Sequence, residues 1–219
     1  MKYLIILSIS FLVFTNCKKQ EANPVVEMHY NYIPTTIGTW NTFEVTEITH
    51  TTTGAHDTLN YYLKEVIAEL ISEQNYRIER FWKTNINDSW TIKDVWTREV
   101  TKSMYKQAEE NIVFTKLIFP VKPDQFWNGN AFNNKEELEY KYTNTHNSYS
   151  INNLDFDESV TIIQQDNTNA IEFQKAEEVY AKDVGLVFKS QIDLSINLFD
   201  PTDINDGFEL TMKLIDYGN

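Results

Sequence analysis

From about residue 40 onward the chain alternates apolar and polar positions with a period of two. Tyr76, Ile78 and Trp82 alternate with Arg77, Glu79 and Lys83, and Arg80 falls on the apolar face. Leu138, Tyr140 and Tyr142 alternate with Glu139, Lys141 and Thr143. The runs Ile192, Leu194, Ile196, Leu198 and Phe208, Leu210, Met212, Leu214 do the same against polar neighbours. Alternation of this kind sets one face of a strand on a core and the other in water. Turn residues fall between the runs at Thr53-Gly54, Asn85 to Asp88, Pro120 to Asp124, Asn128 to Asn134, Asn152-Asn153, Asp166 to Asn169 and Asp200 to Gly207. About ten short strands at this spacing predict an all-β, antiparallel domain. The sheet is expected to be strongly curved or a partly open barrel, with few or no helices outside a signal peptide. Residues 60–74 carry a second pattern: Leu63, Val66, Ile67, Leu70 and Ile71 also fit one face of a helix. Periodicity favours helix there and the flanking strands favour strand, so both readings stand.

The N-terminus is different. Lys2 precedes an apolar run from Leu4 to Phe14, and Cys17, Lys18 and Lys19 follow. A membrane span needs about 20 apolar residues, so this run reads as the core of a signal peptide. The single cysteine stands where a bacterial lipoprotein signal places its acylated residue. The expected organisation is a signal peptide over 1–16, removed at Cys17, a flexible tether over 17–33 and one β-rich domain over 34–219. Two or three acyl chains on Cys17 would hold the protein at the outer membrane, on its periplasmic or its cell-surface side. With that thiol acylated, no cysteine chemistry remains.

Composition narrows the function classes. Hydrophobic residues are 42% of 219, enough for one core and too many for a disordered chain. Nineteen Lys and Arg against 32 Asp and Glu give a net charge of −13, which argues against nucleic-acid binding. No nucleophile elbow or phosphate loop is present. His29, His50, His56 and His146 form no metal-binding motif, although His50 and His56 could meet across a hairpin. No metal site, cofactor or catalytic set is therefore assigned. The pairs Glu109-Glu110, Glu136-Glu137 and Glu177-Glu178 are read as solvated charge, because strand neighbours point to opposite faces. The acidic stretch Asp200 to Gly207 fails the spacing of a calcium loop and reads as a turn. Trp82, Trp90, Trp96 and Trp127 are read first as core, with Trp90, Ile92 and Trp96 on one strand face. Gly185, in an apolar run, suggests a bulge or close backbone approach, and Gly129 a turn with positive φ. Asp57-Thr58-Leu59 matches an O-glycosylation pattern and makes Thr58 a candidate modification site; Asn87-Asp88-Ser89 fits an N-glycan sequon.

Several segments together carry a resemblance. They are Ile33-Pro34 through Ile37-Gly38-Thr39-Trp40, Tyr76 to Arg80, Asp94-Val95-Trp96, Phe119-Pro120-Val121, Trp127 to Asn133, and Val179 to Val187. The chain is similar in these to a family of β-rich Bacteroidetes envelope lipoproteins to which no activity is attached. Its most specific parts are Trp127-Asn128-Gly129-Asn130 and Tyr180-Ala181 through Val184-Gly185-Leu186-Val187. Asp183 departs from the glycine usual there. The resemblance implies an envelope location and a β fold, and leaves the mechanism open. The leading expectation is a non-catalytic binding or accessory module anchored by its acyl chains. One rival is a glycan hydrolase using dispersed carboxylates, which needs two inward carboxylates in a cleft. The other is a structural subunit of an envelope complex, which needs an exposed apolar patch and no cavity.

Overall fold

The computed structural model describes residues 26–219, so the signal peptide and Cys17 lie outside the described residues. A short 3₁₀ turn, Tyr30–Tyr32, precedes twelve strands. They are β1 Trp40–His50, β2 His56–Ser72, β3 Asn75–Lys83, β4 Thr91–Val100, β5 Met104–Glu109 and β6 Ile112–Ile118. β7 Phe126–Asn128, β8 Glu139–Ile151, β9 Leu154–Thr168, β10 Glu172–Ala181, β11 Gly185–Asn197 and β12 Asp200–Gly218 complete the order. All lie in one sheet, ordered β6-β5-β4-β3-β2-β1-β12-β11-β10-β9-β8-β7, and every pairing is antiparallel. The expected all-β, strongly curved architecture is what forms. Residues 60–74 belong mainly to β2, where inward Tyr61, Leu63, Glu65 and Ile67 alternate with outward Tyr62, Lys64 and Val66. The helical pattern loses because β1 and β3 satisfy the β2 backbone on both sides.

The two edge strands, β6 and β7, are neighbours in sequence and almost meet. Thr115 N donates to Gly129 O at 2.9 Å. Side chains do the rest of the closing. Trp127 Nε1 donates to Thr115 O (2.8 Å), Asn133 Nδ2 to Val113 O (2.8 Å) and the Tyr142 hydroxyl to Ile118 O (2.6 Å). The Trp127–Asn133 segment is thus a clasp over the open edge of β6, which would otherwise template pairing with other chains. Gly129 does not take the expected positive φ. It is glycine because a Cβ there would sit 2.5 Å from Cε1 of Tyr140. Gly185 fits its expectation, with φ 92° and a missing Cβ that would lie 3.1 Å from the Pro34 ring.

Two apolar clusters fill the inward face. One gathers Phe43, Leu63, Phe156, Val187 and Leu214, and the other Tyr32, Tyr105, Leu117, Tyr142 and Ile162. Tyr32 and Ile33 are buried, so the last residues of the expected tether are docked on the sheet. Asn31 O accepts from Asp183 N at 2.7 Å, and Arg98 Nη1 donates to Pro34 O at 3.0 Å.

Charges also lie inside. Lys116 Nζ reaches Glu109 at 2.7 Å and Glu178 at 2.8 Å, and Lys189 stands 3.4 Å from both. Tyr180 donates to the second oxygen of Glu178 at 2.7 Å. Arg80 is bound by Glu65 (3.0 Å) and Asp94 (2.9 Å) on flanking strands and stacks 3.4 Å over Trp96. The reading of Glu109 and Glu178 as solvated is overturned. Glu109 and Glu178 point inward from β5 and β10 and internal lysines neutralise them, whereas Glu136 and Glu137 are both exposed in the loop before β8. Burial alone would raise both carboxyls; the Lys116 and Lys189 ammoniums overcome it and hold both low, Glu109 at about 2. Folded values below the ordinary 4.5 mean that the stabilisation is complete above that pH and drains away as pH falls toward 2. Denaturant midpoints should therefore drop steeply across this window. Lys116→Met leaves two buried carboxylates against the single ammonium of Lys189 and should cost about 3–5 kcal/mol, whereas Lys116→Met with Glu178→Leu restores a one-to-one pair and should recover most of that loss. Equal losses in the single and double variants would refute the pairing argument.

Candidate functional site

Antiparallel connectivity sorts the loops onto two rims. The lower rim carries residues 26–39, the turns at 73–74, 101–103, 119–125, 152–153 and 182–184, and the C-terminal residues. The upper rim carries the turns at 51–55, 84–90, 110–111, 129–138, 169–171 and 198–199.

The hydrolase expectation directs attention first to the inward carboxylates. Glu65, Glu109 and Glu178 border a cavity with Arg98, Tyr105 and Lys189, but its volume is about 20 Å³. That holds about one water and no sugar ring. A second internal space, under Trp40 and Ile67, is equally small. The tryptophans form no platform. Trp82 packs on Tyr61, Trp96 on Arg80, and Trp127 in the seam. Trp90 lies outside β4, under Lys83, and Ile92 is exposed, so the shared face expected for Trp90, Ile92 and Trp96 does not form. A shift in register between Arg80 and Phe81 breaks the alternation there. A groove of about 560 Å³ on the lower rim runs between Tyr30, Thr36, Asp183 and Tyr217.

The upper rim presents a different surface. The alternation places Leu198 on the core face of its strand, and the structure overturns this. Asn197 pairs with Asp200, so Leu198 and Phe199 form a two-residue turn. Their φ angles are 49° and 67°, both left-handed, as in a type I′ hairpin. Such turns prefer Asn-Gly, and bulky side chains there carry backbone strain. Leu198 is 87% exposed and Phe199 65%. Ile171, 66% exposed, is brought beside them by the adjacent β9–β10 turn. Ile196 N donates to Ile171 O (2.9 Å) and Phe199 N to Ala170 O (3.2 Å). Asn169 Oδ1 accepts from the backbone of Ile171 and Glu172, both at 2.9 Å, so the tip is held from within.

The setting of this tip is acidic. Asp200 accepts from Thr202 N and Oγ1 at 2.9 and 2.7 Å, and these bonds hold its carboxyl below the usual range. Asp203, Asp206, Asp193 and Glu172 lie on the same strand ends. The residues read as a turn, Asp200 to Gly207, are instead the start of β12, bulged so that Ile196 pairs with Ile204. Neither Lys nor Arg occurs between residues 34 and 63 or between 190 and 212. Those stretches build β1, the upper half of β2, and the adjoining upper parts of β11 and β12. Thr58, the candidate modification site, is exposed on β2 in this same region, and nothing in the structure bears on its modification. His50 and His56 do meet there, with ring centroids 6.1 Å apart, but His50 is bonded to Glu209 at 2.8 Å.

No protein-family model matches the sequence, and no curated protein matches it. Among solved structures, a Bacteroides fragilis protein described as exported, with a YmcC-like fold, aligns with 85% of this chain and 98% of its own. Identity is 10% and the TM-score 0.42. That likeness identifies neither a ligand nor an activity.

Because the tip is strained and exposed, replacing it should stabilise the fold. Leu198→Asn with Phe199→Gly is expected to raise unfolding stability by about 1 kcal/mol or more, read by urea denaturation. A loss of stability would show that the two side chains serve packing.

Proposed function

We propose that the protein is a lipid-anchored, non-catalytic interaction module of the cell envelope. Its upper rim docks a protein partner that is apolar at its centre and basic around it. The observation that carries this is the strained, solvent-facing Leu198–Phe199 turn beside Ile171. Nothing in the fold requires large apolar residues at that turn, and they sit within an acidic surround. Acidic surroundings disfavour anionic lipid and favour a cationic protein surface. Filled interior space and an exposed apolar patch also favour the reading of a structural or accessory subunit over that of a small-molecule carrier.

The anchor fits the same geometry. Residue 26 emerges on the lower rim, so acyl chains on Cys17 would hold that rim toward the membrane and turn the tip away from it. The expected tether, now shortened by the docking of Tyr32 and Ile33, spaces the two. The resemblance to envelope lipoproteins supports the same placement.

Two measurements test this reading. Intact mass analysis of membrane-extracted protein should show a chain that begins at Cys17 and carries diacyl- or triacylglyceryl mass; an unmodified chain sinks the anchor. A photoreactive residue placed at position 199 in living cells should yield one discrete protein adduct. The same residue at position 102, on the lower rim, should not. Asp200→Lys with Asp203→Lys should abolish the adduct. Adducts of equal yield from both rims, or none from 199, would refute the docking surface.

A further inference from the structure

A second cluster, on the lower rim, has the chemistry of a metal site. His29, His146 and Glu158 each present a ligand atom, and all three atoms lie within 4.8 Å of one another. The imidazole rings of His29 and His146 are 4.1 Å apart. These residues come from three separate places: the docked N-terminal segment, β8 and β9. Two nitrogens and one carboxylate oxygen form a donor set suited to zinc and related first-row divalent ions. Oxygen-seeking calcium and magnesium would not choose it.

The backbone is bent to make the cluster. His29 and His146 both hold left-handed φ, 60° and 59°, which non-glycine residues adopt at some cost. His146 stands in an irregular stretch of β8, where the register to β9 shifts between Thr143 and Asn147. Bulges of this kind re-aim side chains beside sites. The irregular register here turns the His146 ring toward Glu158 and His29.

The hydrogen bonds prepare the donors. His146 Nε2 lies 3.3 Å from Val121 O, a partner that can only accept, so this nitrogen carries the proton. In the neutral ring the lone pair is then on Nδ1, which accepts from the Tyr32 hydroxyl at 2.9 Å and lies 3.3 Å from Glu158 Oε1. An imidazole bonded through one nitrogen to a backbone carbonyl is the usual arrangement behind a metal ligand. Glu158 is set in the same manner: Lys182 holds Oε2 at 2.7 Å and leaves Oε1 toward the ring. A proton on Nδ1 would make these two atoms an ion pair, and a metal ion in the proton's place would bridge the same two atoms. Nδ1 of His29 is buried and has no hydrogen-bond partner. Tetrahedral zinc ligands at about 2.1 Å lie roughly 3.4 Å apart, so atoms spread over as much as 4.8 Å must close by up to about 1.4 Å. His29 sits on a segment outside the sheet and can supply it.

We propose that His29, His146 and Glu158 bind one Zn²⁺ ion, which clamps the N-terminal segment to the barrel. The ion would fix the direction in which the chain leaves the lower rim, whatever docks at the upper one. Chelator-treated full-length mature protein should be titrated with Co²⁺ as a visible probe and then with Zn²⁺. One Co²⁺ per chain with tetrahedral absorption bands, displaced by Zn²⁺ and unaffected by Ca²⁺, is expected. His146→Ala and Glu158→Gln should each weaken binding by at least about tenfold. His50→Ala with His56→Ala, which removes the upper-rim pair, should leave it unchanged. Zn²⁺ should also slow proteolysis within residues 26–33 of the parent protein and not of folded His29→Ala. The proposal fails if folded protein takes up no Co²⁺, if binding survives His29→Ala with His146→Ala, or if bound Zn²⁺ gives the segment no protection.

Discussion

The interaction on which the rest of the structure depends is the ion pair between Lys116 and Glu178. Lys116 is on β6, an edge of the sheet, and Glu178 is on β10, eight strands away along the sheet order. They meet only because the sheet curls until its inward faces touch. A buried charge without a partner is costly, so neither residue tolerates an uncurled sheet that leaves the other behind. Glu109 and Lys189 complete a neutral set of two and two, and Tyr180 satisfies the remaining oxygen. The same set fills the interior. The interior is packed, with cavities of about 20 Å³, so contact with larger molecules falls to the rims and the outer face of the sheet.

Curling brings the edges together and leaves the closure to be solved separately. β7 has only three residues, too few to pair along β6. The seam is therefore sealed by side chains that imitate a strand's donors: the indole of Trp127, the amide of Asn133 and the hydroxyl of Tyr142, each spent on a β6 carbonyl. Tyr140 needs room to pack behind this clasp, and Gly129 provides it. Trp127, Gly129 and Asn133 thus have a structural reason to occur together, independent of any ligand.

The legible part of the sequence was whatever repeats locally. Alternation gave the sheet, and Arg80 in phase with Tyr76 and Ile78 already marked a charge on the inward face. Parity within a strand also implies that one of Glu177 and Glu178 points in, and that one is Glu178. The unmarked turns share one physical cause. Leu198–Phe199 contains no turn residue and gives no signal, and in Glu110–Asn111, with φ of 48° and 65°, a single Asn without Gly marks the hairpin between β5 and β6 only weakly. That is why about ten strands were expected where twelve form. The cluster of His29, His146 and Glu158 was beyond reach for another reason. His146 lies in an irregular stretch of β8 and His29 in a stretch read as tether, and only the closed barrel brings them together.

The two rims differ in the kind of departure from local rules that each contains, and this difference bears on function. On the upper rim the departure exposes apolar side chains at a turn that polar residues would make more comfortably. On the lower rim it converges polar side chains beneath a docked segment. Strain that persists in a fold stable enough to bear it points to a use. Exposed apolar strain is relieved by a surface that covers it, and converged lone pairs are relieved by a cation. Strands up to 19 residues long separate the two ends, roughly 60 Å at full extension along β12. The solid interior between them offers no pocket to serve as a ligand site. The packed interior makes a rigid spacer between the rims, so each end can depart from local rules without disturbing the other.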